Sequence, residues 1–267
     1  MTEPGSGDSM NRLLTDLPQP RAARLLAESS IVVQPIGALE QHGAHLPLST
    51  DLVIPDAIAT AAVARAAADG VDAWLLPPLA VSKSDEHHWA PGTIWLEAST
   101  LWRTLVDVGR SVAATGAGTL VFVNGHGGNT ALLQVVNREI RRRSGLRTFS
   151  MGSGVQRAGD GTQGRDELGM GIHAGHSETS VMLALRPELV DMRAAVRNVP
   201  EHLADYETIG FNGYPVSFGW TSDDFGASGV IGDPTGATAE YGRQLVEEGV
   251  SFVSRALSEV ARFRHAG

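Results

Sequence analysis

Short apolar runs alternate with segments of helical period along most of the chain. Ile31-Val32-Val33-Gln34-Pro35-Ile36 is apolar on both alternations, which predicts a strand buried on both faces. Pro55 to Ala68 predicts a helix, with Pro55 near its first turn and Gly70 at its end. Trp74-Leu75-Leu76 predicts a second strand. Leu101, Leu105, Val108 and Val112 recur at helical spacing before Gly116, and Thr119-Leu120-Val121-Phe122-Val123 predicts a third strand rich in β-formers. Leu132, Val135, Val136 and Ile140 predict the next helix face, and Arg147-Thr148-Phe149 a fourth strand. Val246, Val250, Val253, Leu257 and Val260 predict a long C-terminal helix. Strands without clean alternation, separated by helices, imply an α/β fold with a mostly parallel sheet covered on both faces. In such sheets ligands bind at the carboxyl ends of the strands.

Composition narrows the chemistry. The 267 residues are enough for a substantial core. Residues 1–10, polar and rich in Gly and Ser, are expected to form a disordered tail, and 11–267 a single domain. There is no cysteine, which excludes a thiolate zinc site, an iron–sulfur cluster and a cysteine nucleophile. Any metal is left to His, Asp, Glu, carbonyls or water. With 21 Lys+Arg against 30 Asp+Glu, the formal charge of −9 argues against nucleic acid or an anionic membrane as partner. Residues 1–12 show no signal-peptide pattern and no apolar run is long enough to span a bilayer, so a cytoplasmic protein is expected.

Polar residues gather after the predicted strands. The first runs into Glu40-Gln41-His42-Gly43, then Leu46-Pro47-Leu48-Ser49-Thr50-Asp51. Glu40 and His42, two apart, share a side of an extended backbone, and Asp51 follows a loop that could return it to them. Carboxylates and imidazole suit a hard-to-borderline divalent ion; unrelated salt bridges in a polar loop are the plain alternative. The third strand ends in Asn124-Gly125-His126-Gly127-Gly128-Asn129. This fits neither dinucleotide nor P-loop patterns, and it places His126 at a strand end. In His173-Ala174-Gly175-His176-Ser177-Glu178, Ser177 could cap a helix with Glu178 in its first turn, or Glu178 could bind metal beside His173 as acid/base. Adjacent His87 and His88, with Trp89, are either surface residues or groups that bind substrate or support ligands.

Together these segments resemble the creatininase family of metal-dependent amidohydrolases. The resemblance spans residues 31–248 and six motifs in order. They are Gly37-x-x-Glu40-Gln41-His42-Gly43, Leu46-Pro47-Leu48-x-Thr50-Asp51, Pro91-Gly92-Thr93, Asn124-Gly125-His126-Gly127-Gly128-Asn129, Glu178-Thr179-Ser180 and Gly229-Val230-Ile231-Gly232-Asp233-Pro234. It implies a three-layer α/β/α sandwich that uses one or two divalent ions (Zn, Fe(II) or Mn) to activate water against an amide-type C–N bond. It implies Glu40, His42, Asp51 and His126 as ligands, with Asp51 between two ions, and His173 as an active-site histidine. Creatininase itself resembles this chain less just after His126: it carries a ligand Glu where this chain has Gly128. Glu178 is the nearest replacement, as ligand or as catalytic group. The resemblance also implies a closed homo-oligomer such as a hexamer.

Within the family the likeness points to a peptidase branch that removes a C-terminal Val-Tyr dipeptide from a modified precursor peptide. The stretch 152–171 holds seven glycines and no tryptophan to close over a small ring, which suits a peptide tail. Arg157 and Arg165 there are candidates to meet its carboxylate, with His87 and Trp89 as further substrate contacts. An amidohydrolase of creatinine, a formamide or another cyclic amide is the alternative, and a non-catalytic metal- or ligand-binding protein a second.

Overall fold

The computed structural model describes residues 12–155, 167–211 and 214–265. The expected N-terminal tail lies outside them. A short helix α1 (Gln19–Leu25) precedes the strands β1 (Ile31–Ile36), β2 (Ala73–Leu75), β3 (Thr119–Asn124) and β4 (Arg147–Gly152). These form one parallel sheet in the order β2-β1-β3-β4, with Ile31 opposite Thr119 and Ile36 opposite Asn124. Helices α2 (Thr50–Ala68), α3 (Ala98–Ala114), α4 (Thr130–Ser144), α5 (His176–Leu185) and α6 (Ala239–Arg262) cover it.

The alternation of each buried strand assigns the two cores. Val33 and Val121 pack with Ile58, Ala62, Val253 and Leu257 under α2 and α6. Their neighbours Val32, Leu120 and Phe122 pack with Leu101, Leu105, Val136 and Ile140 under α3 and α4. Both sheet faces are therefore apolar, as a three-layer α/β/α sandwich requires. The chain leaves β1 on one side and returns to β3 from the other. The crevice at their carboxyl ends is thus the place where strand order reverses and ligands bind.

Four local expectations shift. The helix expected to start at Pro55 begins at Thr50, and Pro55 lies inside it. The missing Pro55 N–H frees the Asp51 carbonyl from its helical partner. The glycines that end β1 and β3 close on that same turn. A Cβ on Gly37 would stand 2.5 Å from Asp51 O, and one on Gly125 would stand 2.4 Å from Pro55 Cγ and 2.6 Å from Asp51 O. The buried face of α4 is Leu133, Val136 and Ile140, whereas Val135 is 50% exposed, because the helix is turned by about one residue from the expected stripe. The fourth strand continues to Gly152, where register with Asn124 holds it. Ser177 is no cap: Gly175 holds that place and Ser177 lies buried in α5. Its capping task falls to Glu167, whose Oε1 accepts from His176 N at 3.1 Å and Asp233 N at 2.6 Å.

The close approach at Asp51 can be tested on stability alone. Gly125→Ala should lower the unfolding free energy by about 1–3 kcal/mol, the usual cost of overpacking. Gly127→Ala, whose added Cβ meets nothing within 4 Å, should change it by no more than about 0.5 kcal/mol in the same urea titration.

Candidate metal centre

Glu40, His42, Asp51, His126 and Glu178 converge at the carboxyl ends of β1 and β3. Asp51 sits in the first turn of α2, where the helix N-terminus favours negative charge. Its two oxygens face two different histidines: Oδ1 lies 3.2 Å from His42 Nε2 and Oδ2 lies 3.0 Å from His126 Nδ1. Glu40 Oε2 is 3.1 Å from the same His126 Nδ1, and Glu178 Oε2 is 3.7 Å from His42 Nε2. Among the described residues three overlapping triads could each hold an ion: Glu40, Asp51 and His126; His42, Asp51 and Glu178; Glu40, His42 and His173.

The outer nitrogens of the imidazoles decide what the inner ones offer. His42 Nδ1 donates to Glu40 O at 3.2 Å, His126 Nε2 to Lys83 O at 2.9 Å, and His173 Nε2 to Gln41 O at 2.6 Å. With the N–H spent on a carbonyl, a neutral ring turns a lone pair inward. Those lone pairs meet carboxylate oxygens. Glu40 Oε1 is buried without a hydrogen-bond partner, 3.5 Å from His173 Nδ1. Bases facing bases at this range need a cation between them, so the donor set fits a divalent ion.

The proton affinities carry the same imbalance. Burial works against a charged His42, yet Asp51, Glu178 and Glu40 outweigh it and push its pKa up to about 9. His126 is likewise driven well above its ordinary value, with burial overcome by Glu40 and Asp51. Asp51 is held well below the usual carboxylate range, its burial outweighed by His42 and His126. Burial, then the neighbouring Asp51, raises Glu178 to about 7 despite His42. His173 is pushed well down by burial and by His42 and His87. It stays neutral at physiological pH.

Backbone pairing explains why His173 is so placed. Its N–H donates to Ile231 O at 3.1 Å and its carbonyl accepts from Ile231 N at 2.9 Å, so the Gly229–Pro234 motif clamps the strand that carries it. Its ring lies 4.1 Å from that of His42 and 4.2 Å from that of His87. His87 thus belongs to the cluster. The Trp89 indole donates to Ser222 Oγ at 2.7 Å, and His88 is exposed. Arg157 and Arg165 lie outside the described residues, as does most of the glycine-rich stretch.

Several groups went unread in the sequence. Gln41 donates from Nε2 to His87 Nδ1 at 2.9 Å and Gly229 O at 3.0 Å, and Ser84 Oγ donates to Glu40 Oε2. Glu86 Oε1 stands 3.1 Å from His126 Nε2. None of these is signalled by a spacing rule, because each is defined by a partner far along the chain. Beside the cluster opens a cavity of about 810 Å³. His126 and Glu178 share its wall with β4 and with Glu247, Ser251, Phe252 and Arg255 of α6.

A buried carboxylate–imidazole cluster at the switch point of an α/β/α sandwich, next to an open cavity, defines a hydrolase site of the amidohydrolase type, and the comparisons with known proteins agree. The creatininase family model, described as creatinine amidohydrolase, matches residues 15–257. A mycofactocin precursor peptide peptidase of Mycobacterium ulcerans (strain Agy99) is 37% identical over 241 residues, covering 87% of this chain and 85% of its own. A creatinine amidohydrolase of Pseudomonas putida is 32% identical over 254 residues, covering 89% and 92%. The solved manganese form of creatininase superposes with a TM-score of 0.74 at 27% identity, covering 95% of this chain and all of its own. The chain belongs to the creatininase family, and its activity is hydrolysis of C–N bonds.

Gln41→Ala strips Gly229 O and His87 Nδ1 of their shared buried donor. Urea unfolding should show a loss of about 1–3 kcal/mol, the cost of leaving buried polar groups unmet.

Proposed function

We propose that the chain is a metal-dependent peptidase that releases a short C-terminal fragment, Val-Tyr in the first instance, from a mycofactocin precursor peptide. The observation that carries this reading is the junction of cluster and cavity. At about 810 Å³ the cavity is near the upper end of the roughly 300–1,000 Å³ range of ligand pockets. That is room for a peptide tail, well beyond the needs of one small ring. The 37%-identical relative, named a mycofactocin precursor peptide peptidase, supports the same substrate class.

In this reading Glu40, His42, Asp51, His126 and Glu178 would hold one or two divalent ions. Zn, Mn and Fe(II) all suit such ligands. A bound ion supplies Lewis-acid polarisation of the carbonyl and lowers the pKa of water toward about 7. His173 then moves the proton to the leaving amine. Its Nε2–H is fixed on Gln41 O, so Nδ1 is the atom that takes and gives the proton, and its neutral state at pH 7 suits that task. Where Glu178 holds no ion, it is the second candidate for the same transfer. Substrate contact falls to His87 and Trp89, and a terminal carboxylate to Arg157, Arg165 or Arg255, of which Arg255 stands on the cavity wall. Among the described residues no helix is long and apolar enough to cross a membrane. The family resemblance supports a cytoplasmic homo-oligomer as part of the same proposal.

The test supplies Zn, Mn or Fe(II) in turn with a precursor peptide ending in Val-Tyr, and in parallel with creatinine. Mass loss of the dipeptide is expected. Turnover of creatinine alone would move the chain to the small-amide reading. His173→Ala should lower kcat by roughly 10²–10⁴-fold with metal content retained. Loss of metal in that variant would make His173 a ligand instead.

A further inference from the structure

Gly128 and Glu86 lie 42 positions apart in sequence and compete for one volume. A Cβ built on Gly128 would stand 1.9 Å from Glu86 Oε1, 2.8 Å from Glu86 Cδ and 2.5 Å from His126 Nε2. The absence of a side chain at 128 is what lets the Glu86 carboxylate reach His126, with Oε1 at 3.1 Å from Nε2. The opposite ring nitrogen, Nδ1, faces Glu40 Oε2 and Asp51 Oδ2. His126 is thus held between a carboxylate on its outer edge and the cluster on its inner edge.

The carboxylate is itself fixed. Lys83 Nζ lies 3.0 Å from Glu86 Oε2 and 2.5 Å from Asp85 Oδ1, while Lys83 O accepts from the same His126 Nε2 at 2.9 Å. One residue therefore anchors Glu86 with its side chain and the histidine with its backbone. Glu86 is largely buried, its side chain 11% exposed, so its charge acts on His126 with little solvent screening.

We propose that Glu86 is a positioning residue for the metal centre. It shares the Nε2 proton of His126 with the Lys83 carbonyl, reinforces the tautomer that turns Nδ1 inward, and makes that nitrogen a stronger donor. Lys83 holds Glu86 in register, and Gly128 provides the clearance. A carboxylate behind a ligating imidazole is a general device, and its removal typically weakens metal binding about 10–100-fold. The proposal rests on the reading of His126 as a ligand.

The experiment titrates chelator-stripped protein with zinc against a competing chelator, for wild type, Glu86→Ala, Glu86→Gln and Asp85→Asn. Glu86→Ala should bind zinc about 10–100-fold more weakly. Glu86→Gln, which keeps an acceptor oxygen without the charge, should fall between it and wild type. Asp85→Asn, which alters the other carboxylate on Lys83 and does not touch His126, should match wild type. On the zinc-loaded protein, the His126 Nε2 proton resonance should move upfield in Glu86→Gln as the charged acceptor is lost. If Glu86→Ala does not fold, Glu86→Gln decides by the same two readouts. Unchanged affinity and an unmoved resonance, in a wild type that binds zinc, would overturn this proposal alone. A wild type that binds no zinc would overturn the metal reading beneath it.

Discussion

Glu40, Asp51 and Glu178 are drawn into the protein beside imidazoles whose outer N–H groups are already committed to backbone carbonyls. Among the described residues no lysine or arginine reaches any of these three carboxylates. The inward faces of His42, His126 and His173 are therefore basic nitrogens set against basic oxygens. Bringing such groups out of water is costly unless positive charge joins them. Protons can serve, which is why His42 and His126 hold theirs so tightly. A divalent ion serves better, because one ion meets several donors at once. The rest of the site follows from keeping these groups at that spacing.

The fold meets that requirement with backbone as much as with side chains. Gly37 and Gly125 bring the ends of β1 and β3 against the first turn of α2, which sets Asp51 between His42 and His126. Pro55 shapes the same turn by leaving the Asp51 carbonyl without a helical donor. On the far side the pairing of His173 with Ile231, and of Glu167 with the N–H groups of His176 and Asp233, fixes the second wall. The cavity opens between α4, β4 and α6, beside the cluster.

Much of this was legible in the sequence because it is local. Glu40 and His42 follow one buried strand and His126 another, and a parallel sheet brings such ends together. Asp51 was read as a residue returning from a loop, and it does meet His42, but from a helix that starts before Pro55. What the pattern could not show was set by distant partners. Ser177 has the composition of a cap, yet Glu167, nine residues before His176, satisfies that helix terminus. Gly128 read as a position that had lost a ligand. Its space is filled by Glu86, from a segment in which the histidines, and not this glutamate, were read as possible supports for the ligands. Periodicity also misplaced Val135, since one residue of rotation separates a buried stripe from its border.

The central claim is that this cluster is built around metal, and calorimetric titration of chelator-stripped protein with zinc addresses it most directly. One to two ions should bind per folded chain, with binding diminished by Asp51→Asn, because Asp51 belongs to two of the three triads. A folded wild-type chain that takes up no ion, or one that binds equally well without the Asp51 carboxylate, would contradict it.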